Sequence, residues 1–156
     1  MQEIVVVLGG TSRIAVGIAE AEIQRGARVY LVGRDEDELR IGAADLQVRT
    51  GAPVGFMRLP ASNVDKSGEW SAWLRDLGRV DRVYSLIGSD TPLTGDLADD
   101  LEAAINANLL SPLRALEQIL PLVPAGGAAV VVSSVAHLIP RADVLAYGSA
   151  KAALSF

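Results

Sequence analysis

The sequence predicts an α/β fold in which a parallel β-sheet is covered by helices on both faces. Short apolar runs rich in β-branched residues recur along the chain without polar alternation, which is typical of strands buried on both faces. They alternate with longer segments whose apolar residues follow helical spacing. The connections are short, and no linker or low-complexity segment interrupts the 156 residues. We therefore expect a single domain over residues 1–156.

Each element is supported by its own pattern. The first strand is an unbroken apolar run, and the helical spacing that follows begins at Ile14 and ends at Arg25 and Gly26. Trp70 and Trp73 lie at helical spacing and are expected to pack against the sheet. The strands are predicted at residues 4–8, 27–32, 54–59, 80–87 and 128–133, and the helices at residues 14–25, 36–49, 65–77 and 96–123, with a further helix that carries Tyr147 and Lys151.

Composition excludes several classes of function. Hydrophobic residues make up 50% and charged residues 21% of the chain, as in a globular protein. The net charge of −5 argues against nucleic acid as a partner. The absence of cysteine excludes disulfides and thiolate chemistry, and no set of residues predicts a metal site. No signal peptide or membrane-spanning run is recognisable, so we expect a cytoplasmic protein without a membrane partner.

A glycine-containing turn joins the first strand to the first helix. In an open α/β sheet, this is where backbone N–H groups and the helix dipole bind a phosphate. The turn reads GGTSRIA at residues 9–15, which is neither G-x-G-x-x-G nor the phosphate loop that ends in Gly-Lys-Ser/Thr. An ordinary tight turn is the alternative, but the position favours a phosphate site in a Rossmann-type, doubly wound sheet. We expect backbone N–H groups of this turn, residues 9–15, to point at the phosphate.

The end of the second strand indicates which dinucleotide would be bound. Where an acidic residue typically holds the adenosine ribose, the sequence has Gly33 followed by Arg34. A guanidinium suits a 2′-phosphate, and Arg13 in the glycine turn could support it. Asp35 argues slightly the other way, although it could cap the next helix. The sequence therefore favours NADP(H), with NAD(H) as the alternative.

Residues with proton-transfer chemistry follow the fifth strand. Ser134 lies just after this strand, and Tyr147 and Lys151 are four residues apart, so they share one face of a helix. A lysine ammonium beside a tyrosine favours the phenolate, which makes the phenol a usable proton donor or acceptor. A serine hydroxyl can polarise a carbonyl oxygen. A lone Tyr-x-x-x-Lys pair is more often a solvated helix face, so the neighbouring motifs decide its meaning.

The predicted helix at residues 96–123 contains a proline. Pro112 has no N–H and cannot bond to the carbonyl of Asn108 four residues earlier, so we expect the helix to bend there. A free carbonyl at Asn108 could hold a water molecule. A purely structural kink is the alternative.

Together these features resemble the short-chain dehydrogenases/reductases over essentially the whole chain. Ser134 and Tyr147 are thirteen residues apart, which is the family's spacing. The matching positions are the turn at residues 9–15, Gly33 with Arg34, Asn63 with Val64, residues 85–88, Asn108, Ser134, and Tyr147 with Lys151.

The resemblance implies an NADP(H)-dependent oxidoreductase that interconverts a small-molecule carbonyl and its secondary alcohol. Tyr147 would exchange a proton with the substrate oxygen, and Ser134 would hold the carbonyl. Lys151 would hold the nicotinamide ribose and act on Tyr147, and Asn108 would keep a water that links Lys151 to solvent. The resemblance also implies a homodimer or homotetramer. The implied cofactor-binding residues are Gly10, Ser12, Arg13, Ile14, Arg34, Asn63, Val64, Ser85, Gly88, Tyr147 and Lys151.

The chain also departs from the family pattern. Ala15 stands where the glycine turn usually has its last glycine, and residues 85–88 keep only Gly88 of the family's Asn-Asn-Ala-Gly. Of the strand order 3-2-1-4-5-6, the sixth strand has no counterpart, so the domain is expected to be incomplete, with its fifth strand at an edge. A non-catalytic nucleotide-binding module, or half of a split enzyme that needs a partner chain, is therefore the alternative function. A sugar epimerase or dehydratase fits the glycine spacing less well.

Overall fold

The computed structural model describes residues 2–59, 68–89, 94–139 and 141–156, and it confirms the Rossmann-type α/β fold. One parallel sheet has the order β3-β2-β1-β4-β5. Consecutive strands run outward from β1 to β3 on one side and from β4 to β5 on the other. The strand order therefore reverses between β1 and β4, which is where open α/β sheets bind ligands. The strands are β1 (Ile4–Leu8), β2 (Arg28–Gly33), β3 (Val54–Arg58), β4 (Arg82–Ser85) and β5 (Ala128–Val131).

The described residues form six α-helices, which connect or follow the strands. The predicted start of the third helix at residue 65 lies outside the described residues, and its described part begins after Gly68. The helices are α1 (Arg13–Gln24), α2 (Glu36–Thr50), α3 (Glu69–Leu77), α4 (Leu97–Ile105), α5 (Ser111–Ile119) and α6 (Leu145–Ser155).

The sheet has an apolar core on each face. Because side chains alternate along a strand, Val5 and Val7 of β1 pack with α1 and α2, whereas Val6 and Leu8 pack with α3 and α5. Trp70 is buried in the second of these cores and stacks on Trp73 with ring centroids 5.1 Å apart. The prediction that the tryptophans pack against the sheet is therefore confirmed.

The segment predicted as one helix at residues 96–123 is interrupted. A π-helical turn, Asn106–Leu110, separates α4 from α5 just before Pro112, and the N–H and hydroxyl of Ser111 both donate to the carbonyl oxygen of Asn106. The interruption lies where Pro112 predicts it, and it takes the form of a widened turn rather than a simple bend. The turn faces Asn108 into the protein, where its side chain is fully buried.

Strand β5 lies at the edge of the sheet, as expected, and pairs with β4 within the described part of the chain. Its side chains are exposed, with Val130 at 43% and Val131 at 38%. None of the helices formed by the described residues is long and apolar enough to cross a membrane.

Candidate active site

A cavity of about 700 Å³ opens at the carboxyl ends of β1, β4 and β5. Its walls come from the turn after β1, the segments after β4 and β5, the π turn and α6. All four residues predicted to be catalytic line it: Asn108, Ser134, Tyr147 and Lys151. Residues that are far apart in sequence are therefore brought together by the fold.

Tyr147 and Lys151 lie one turn apart on α6. The Lys151 ammonium is 5.9 Å from the centroid of the Tyr147 ring. Lys151 is only 4% exposed, and its Nζ donates to the carbonyl oxygen of Val132 at 3.4 Å. Burial lowers the pKa of Lys151, because the charged form is poorly solvated there. The lysine is thus held in place beside the tyrosine in the wall of the cavity.

The amide of Asn108 holds the segment that follows β4. Its Oδ1 accepts from the N–H of Ser89 at 3.1 Å, and its Nδ2 donates to the carbonyl of Ser89 at 3.0 Å. Both polar ends of the side chain are therefore engaged with the backbone. The role predicted for the main-chain oxygen of Asn108, holding a water, stays a prediction.

Gly88 lies where Asn108 and Lys151 converge. A Cβ at this position would lie 2.7 Å from Asn108 Oδ1 and 3.1 Å from Lys151 Nζ. The first distance is shorter than real contacts allow, so a side chain here would displace one of the two. This close approach accounts for the glycine that the chain retains at the end of residues 85–88.

Ser134 follows β5 at the start of a 3₁₀ turn, Val135–His137. Its Oγ accepts from the N–H of Ala136 at 3.2 Å, which leaves the hydroxyl hydrogen free to donate into the cavity. The preceding Ser133 donates to the carbonyl of Lys151 at 3.2 Å and so ties the end of β5 to α6. Sequence reasoning missed this tie, because it joins residues 18 positions apart.

The glycine turn brings backbone close to backbone. Gly9 has φ +80°, and a Cβ there would lie 2.8 Å from the carbonyl of Leu86. The N–H groups of Gly9 and Gly10 both donate to the carbonyl of Val32 at 2.8 Å. Only a glycine fits position 9 without strain. The hydrogen bonds to Val32 and the close approach to Leu86 hold the turn between β2 and the end of β4.

The residues at the start of α1 differ in whether they line the cavity, are buried or are exposed to solvent. Ser12 is the N-cap, with its Oγ accepting from the N–H of Ala15 at 3.1 Å, and both Ser12 and Ile14 line the cavity. Ala15 is fully buried against the sheet, so its methyl group is accommodated where helix and strand pack. Arg13 is exposed and lines neither this cavity nor the smaller one beside it.

A second cavity of about 130 Å³ adjoins the first. It lies between the glycine turn and the end of β2, and it includes Arg34 in its wall. The two cavities share four lining residues, which makes them neighbours along one groove. The shared residues are Ser12, Leu86, Gly88 and Ser89.

Arg58 is a basic residue that sequence reasoning missed. Its Nε donates to the carbonyl oxygen of Arg34 at 3.3 Å, and it pairs in register with Gly33. Two exposed arginines therefore lie near the end of β2, although Arg34 lines the smaller cavity and Arg58 lines neither cavity. Parallel pairing of the predicted second and third strands was the signal that could have found it. Asp35 caps α2, accepting from the N–H of Glu38 at 3.0 Å, as the sequence suggested.

Two further predicted cofactor-binding residues of the described chain, Gly10 and Ser85, line neither cavity. Ser85, the last residue of β4, is 1% exposed, lines neither cavity, and its Oγ has no hydrogen-bond partner among the described residues. Its side chain points to the same face as Val83, toward the α3 and α5 side, because strand side chains alternate. Asn63 and Val64 lie outside the described residues.

Comparisons with known proteins agree with this geometry. A sequence profile described as short chain dehydrogenase matches residues 3–156. The chain is 29% identical over 154 residues to a 3-oxoacyl-(acyl-carrier-protein) reductase of Chlamydia muridarum, covering 96% of this chain and 62% of that protein. It is 30% identical over 159 residues to a 3beta-hydroxysteroid dehydrogenase of Mediterraneibacter gnavus, covering 99% of this chain and 57% of that protein.

Among solved structures, a Pseudomonas aeruginosa complex of RhlG with NADP superposes with a TM-score of 0.84 at 25% identity, covering 97% of this chain and 62% of that one. The chain therefore covers 62% and 57% of the lengths of the two relatives named above.

Proposed function

Because the chain belongs to the short-chain dehydrogenase family, we propose that it is the NADP(H)-binding Rossmann domain of an oxidoreductase that interconverts a carbonyl and a secondary alcohol. The observation that carries the proposal is the meeting of Asn108, Ser134, Tyr147 and Lys151 at one cavity beside the glycine turn. Fold alone would not specify chemistry, whereas a hydroxyl, a phenol and a buried ammonium in one cavity do.

The residues of the groove fit a dinucleotide phosphate. Gly9 and Gly10 bring the backbone close at the start of α1, and the helix N-terminus favours an anion. Gly88 lets the segment after β4 approach Asn108 and Lys151 closely in the wall of the groove. The N-cap Ser12 lies in both cavities and so marks the point where the two meet.

When bound, NADPH supplies the hydride that reduces the carbonyl carbon. The Ser134 hydroxyl donates to the carbonyl oxygen and polarises it, and the Tyr147 hydroxyl gives this oxygen its proton, so that hydride and proton together yield the alcohol. Lys151 stabilises the phenolate that remains on Tyr147, and it is the residue that would hold the ribose hydroxyls of the cofactor. In the oxidative direction, the same phenolate takes the proton back.

Cofactor choice follows from the end of β2. Arg34 lines the smaller cavity and Arg58 donates to the carbonyl oxygen of Arg34, so two guanidinium groups lie near the end of β2, where they would favour a 2′-phosphate. Asp35, the carboxylate that could have held a ribose hydroxyl, is engaged in capping α2. We propose NADP(H) in preference to NAD(H), and the NADP bound to the related RhlG structure supports this choice.

The assembly and location remain proposals as well. We propose a cytoplasmic homodimer or homotetramer that contacts its copies through α4, α5 and the 3₁₀ turn Leu120–Leu122 that follows α5, where Leu97, Leu113 and Leu120 are exposed apolar side chains. Light scattering of the purified protein would measure the number of subunits. A monomer at all concentrations would contradict this part.

The decisive test is Tyr147→Phe in the intact protein. We expect carbonyl-dependent NADPH oxidation to fall by at least about a thousandfold, because the proton donor is lost, while the Kd for NADPH stays within about threefold. Tyr30→Phe, a hydroxyl deletion in the core remote from the cavity, serves as the control. Unchanged turnover in Tyr147→Phe would overturn the mechanism. NADPH binding by the wild type without turnover of any carbonyl would favour a non-catalytic nucleotide-binding module.

A further inference from the structure

The wall of the large cavity carries an exposed positive charge that the proposed reaction does not use. Arg141 lies in the segment between β5 and α6, on the same cavity as Ser134 and Tyr147. The only other charged residue lining this cavity in the described chain is Lys151, which is buried beside Asn108 and Gly88. No carboxylate from the described residues lines it. Both charged residues of the described cavity wall are therefore basic, which favours an anionic ligand.

The present partner of Arg141 is a weak one. Its Nε donates to Asp143 Oδ1 at 3.0 Å, and a second guanidinium nitrogen contacts Asp143 Oδ2. Both side chains are about 60% exposed (61% and 59%), and ion pairs this exposed contribute little to stability. Asp143 itself does not line the cavity. Two nitrogens of the Arg141 guanidinium, its fork, therefore already bind a planar carboxylate. That carboxylate belongs to Asp143 and lies outside the cavity.

The rest of the wall around Arg141 is apolar. Ile139 and Val144 flank it in the same segment, Val135 lies beside Ser134, and Ile14 and Leu86 close the cofactor side. A substrate that matches this wall carries an apolar body, a carbonyl that reaches Ser134 and Tyr147, and an acidic group that reaches Arg141.

We propose that Arg141 binds an anionic group of the substrate, and that the substrate is an amphipathic carbonyl compound bearing a carboxylate or a phosphate monoester. This proposal rests on the proposed function, because it assigns the substrate class of the same cavity. When substrate binds, Arg141 releases Asp143 and pairs with the substrate anion. The new ion pair is favoured because it lies in the cavity, where it is better shielded from water. Asp143 keeps the guanidinium oriented while the cavity is empty of substrate.

The test compares one carbonyl with and without its charge. NADPH oxidation by the intact protein is followed with 4-oxononanoate and with its methyl ester, and octyl phosphate and octanol are compared as inhibitors of reduction of the ester. The wild type should prefer the acid to the ester and octyl phosphate to octanol. The variant Arg141→Gln should lower kcat/KM for the acid roughly 10- to 100-fold and leave the ester within about twofold. Whichever anion loses more in this variant identifies the carboxylate or the phosphate as the natural group.

Three further variants sharpen the result. Arg141→Lys keeps the charge but not the fork, so it should recover only part of the preference for the acid. Asp143→Asn removes the competing carboxylate and should lower KM for the acid. Arg114→Gln, which removes an exposed arginine of α5 outside the cavity, should change neither substrate.

The outcomes separate this inference from the proposed function. Equal acid-to-ester ratios in the wild type and Arg141→Gln, with octyl phosphate inhibiting both proteins equally, would overturn the assignment of Arg141 while leaving the reductase standing. A loss of NADPH affinity in Arg141→Gln without a change in that ratio would also overturn it, by placing Arg141 at the cofactor. Failure of the wild type to oxidise NADPH with any carbonyl would overturn the proposed function itself.

Discussion

The side-chain amide of Asn108 and the backbone of Ser89 form a reciprocal pair of hydrogen bonds, one at 3.1 Å and the other at 3.0 Å. They join the π turn between α4 and α5 to the segment that follows β4, across 19 residues of sequence. The asparagine thus positions the backbone that borders Lys151, whatever further part its main-chain oxygen has.

Replacing Asn108 by alanine should cost the protein about 2–3 kcal/mol in free energy of unfolding, because two backbone groups of Ser89 lose their partners in a partly buried place. Urea denaturation measures this directly. Asn106→Ala, an exposed position in the same turn, should change stability by less than about 0.5 kcal/mol. An equal decrease in the free energy of unfolding of both variants would show that the two hydrogen bonds of Asn108 do not stabilise the protein.

Gly88→Ala should inactivate the protein without unfolding it. The new methyl group would lie 2.7 Å from Asn108 Oδ1 and 3.1 Å from Lys151 Nζ, so one of these side chains must move. We expect turnover to fall by about a hundredfold or more, measured as NADPH oxidation, since small displacements of catalytic groups are costly. Gly17→Ala is the matched control, because its Cβ meets nothing within 4 Å and the helix interior gains up to about 1 kcal/mol. Full activity in Gly88→Ala would refute the convergence of Asn108 and Lys151 on this glycine.

Arg34 and Arg58 should set the preference for NADPH over NADH. Replacing either by glutamine should raise the Kd for NADPH by about tenfold and leave the Kd for NADH nearly unchanged, as read from fluorescence titrations, because only NADPH carries the 2′-phosphate. Arg28→Gln tests for a general charge effect, since Arg28 lies at the opposite end of the same sheet. Should both cofactors weaken equally, the two arginines would be structural rather than selective.

Lys151→Met should raise the free energy of unfolding while it abolishes turnover. Burial lowers the pKa of Lys151 below its ordinary 10.5, so the folded state disfavours the ammonium that the unfolded chain keeps. Between the lowered pKa and 10.5 the unfolded state therefore binds more protons, and the stability of the wild type rises with pH in that range. The advantage of the methionine variant should be largest at neutral pH and shrink as the pH approaches 10.5. Thermal denaturation from pH 7 to 10 checks this, and a constant difference across that range would contradict it.

The sequence predicted the fold because the features that define it are local. Buried strands are recognisable as apolar runs such as residues 4–8, and a helix is recognisable by the spacing of Ile14, Ile18 and Ile23. Tyr147 and Lys151 could be placed on one face of α6 for the same reason. The meeting of these residues with Ser134 and Asn108 followed from the order of the strands, which the family resemblance supplied.

The features of the site that the sequence did not predict depend on strand register and on contacts between distant segments. The Arg58 side chain reaches the carbonyl of Arg34 only because β2 and β3 pair in parallel with Gly33 opposite Arg58. Ser85 points away from the cavities because of its place in the alternation of β4, which sequence spacing does not fix to the residue. The widened turn at Asn106–Leu110 was signalled by Pro112, but its geometry also needs the hydroxyl of Ser111.

The strand order β3-β2-β1-β4-β5 places the first half of the chain on one side of the site and the second half on the other. Among the described residues, Ser12 and Arg34, which we propose to bind the cofactor's phosphates, follow β1 and β2, whereas Ser134 and Tyr147, which we propose to handle the proton, follow β5. We therefore expect substitutions at Arg34 to change the choice of dinucleotide, and substitutions at Arg141 to change the choice of carbonyl compound, with little effect on each other. A lineage of such proteins is therefore free to exchange one dinucleotide for another, or one carbonyl compound for another, in independent evolutionary steps. Chimaeras joined between β3 and β4 would exploit the same boundary.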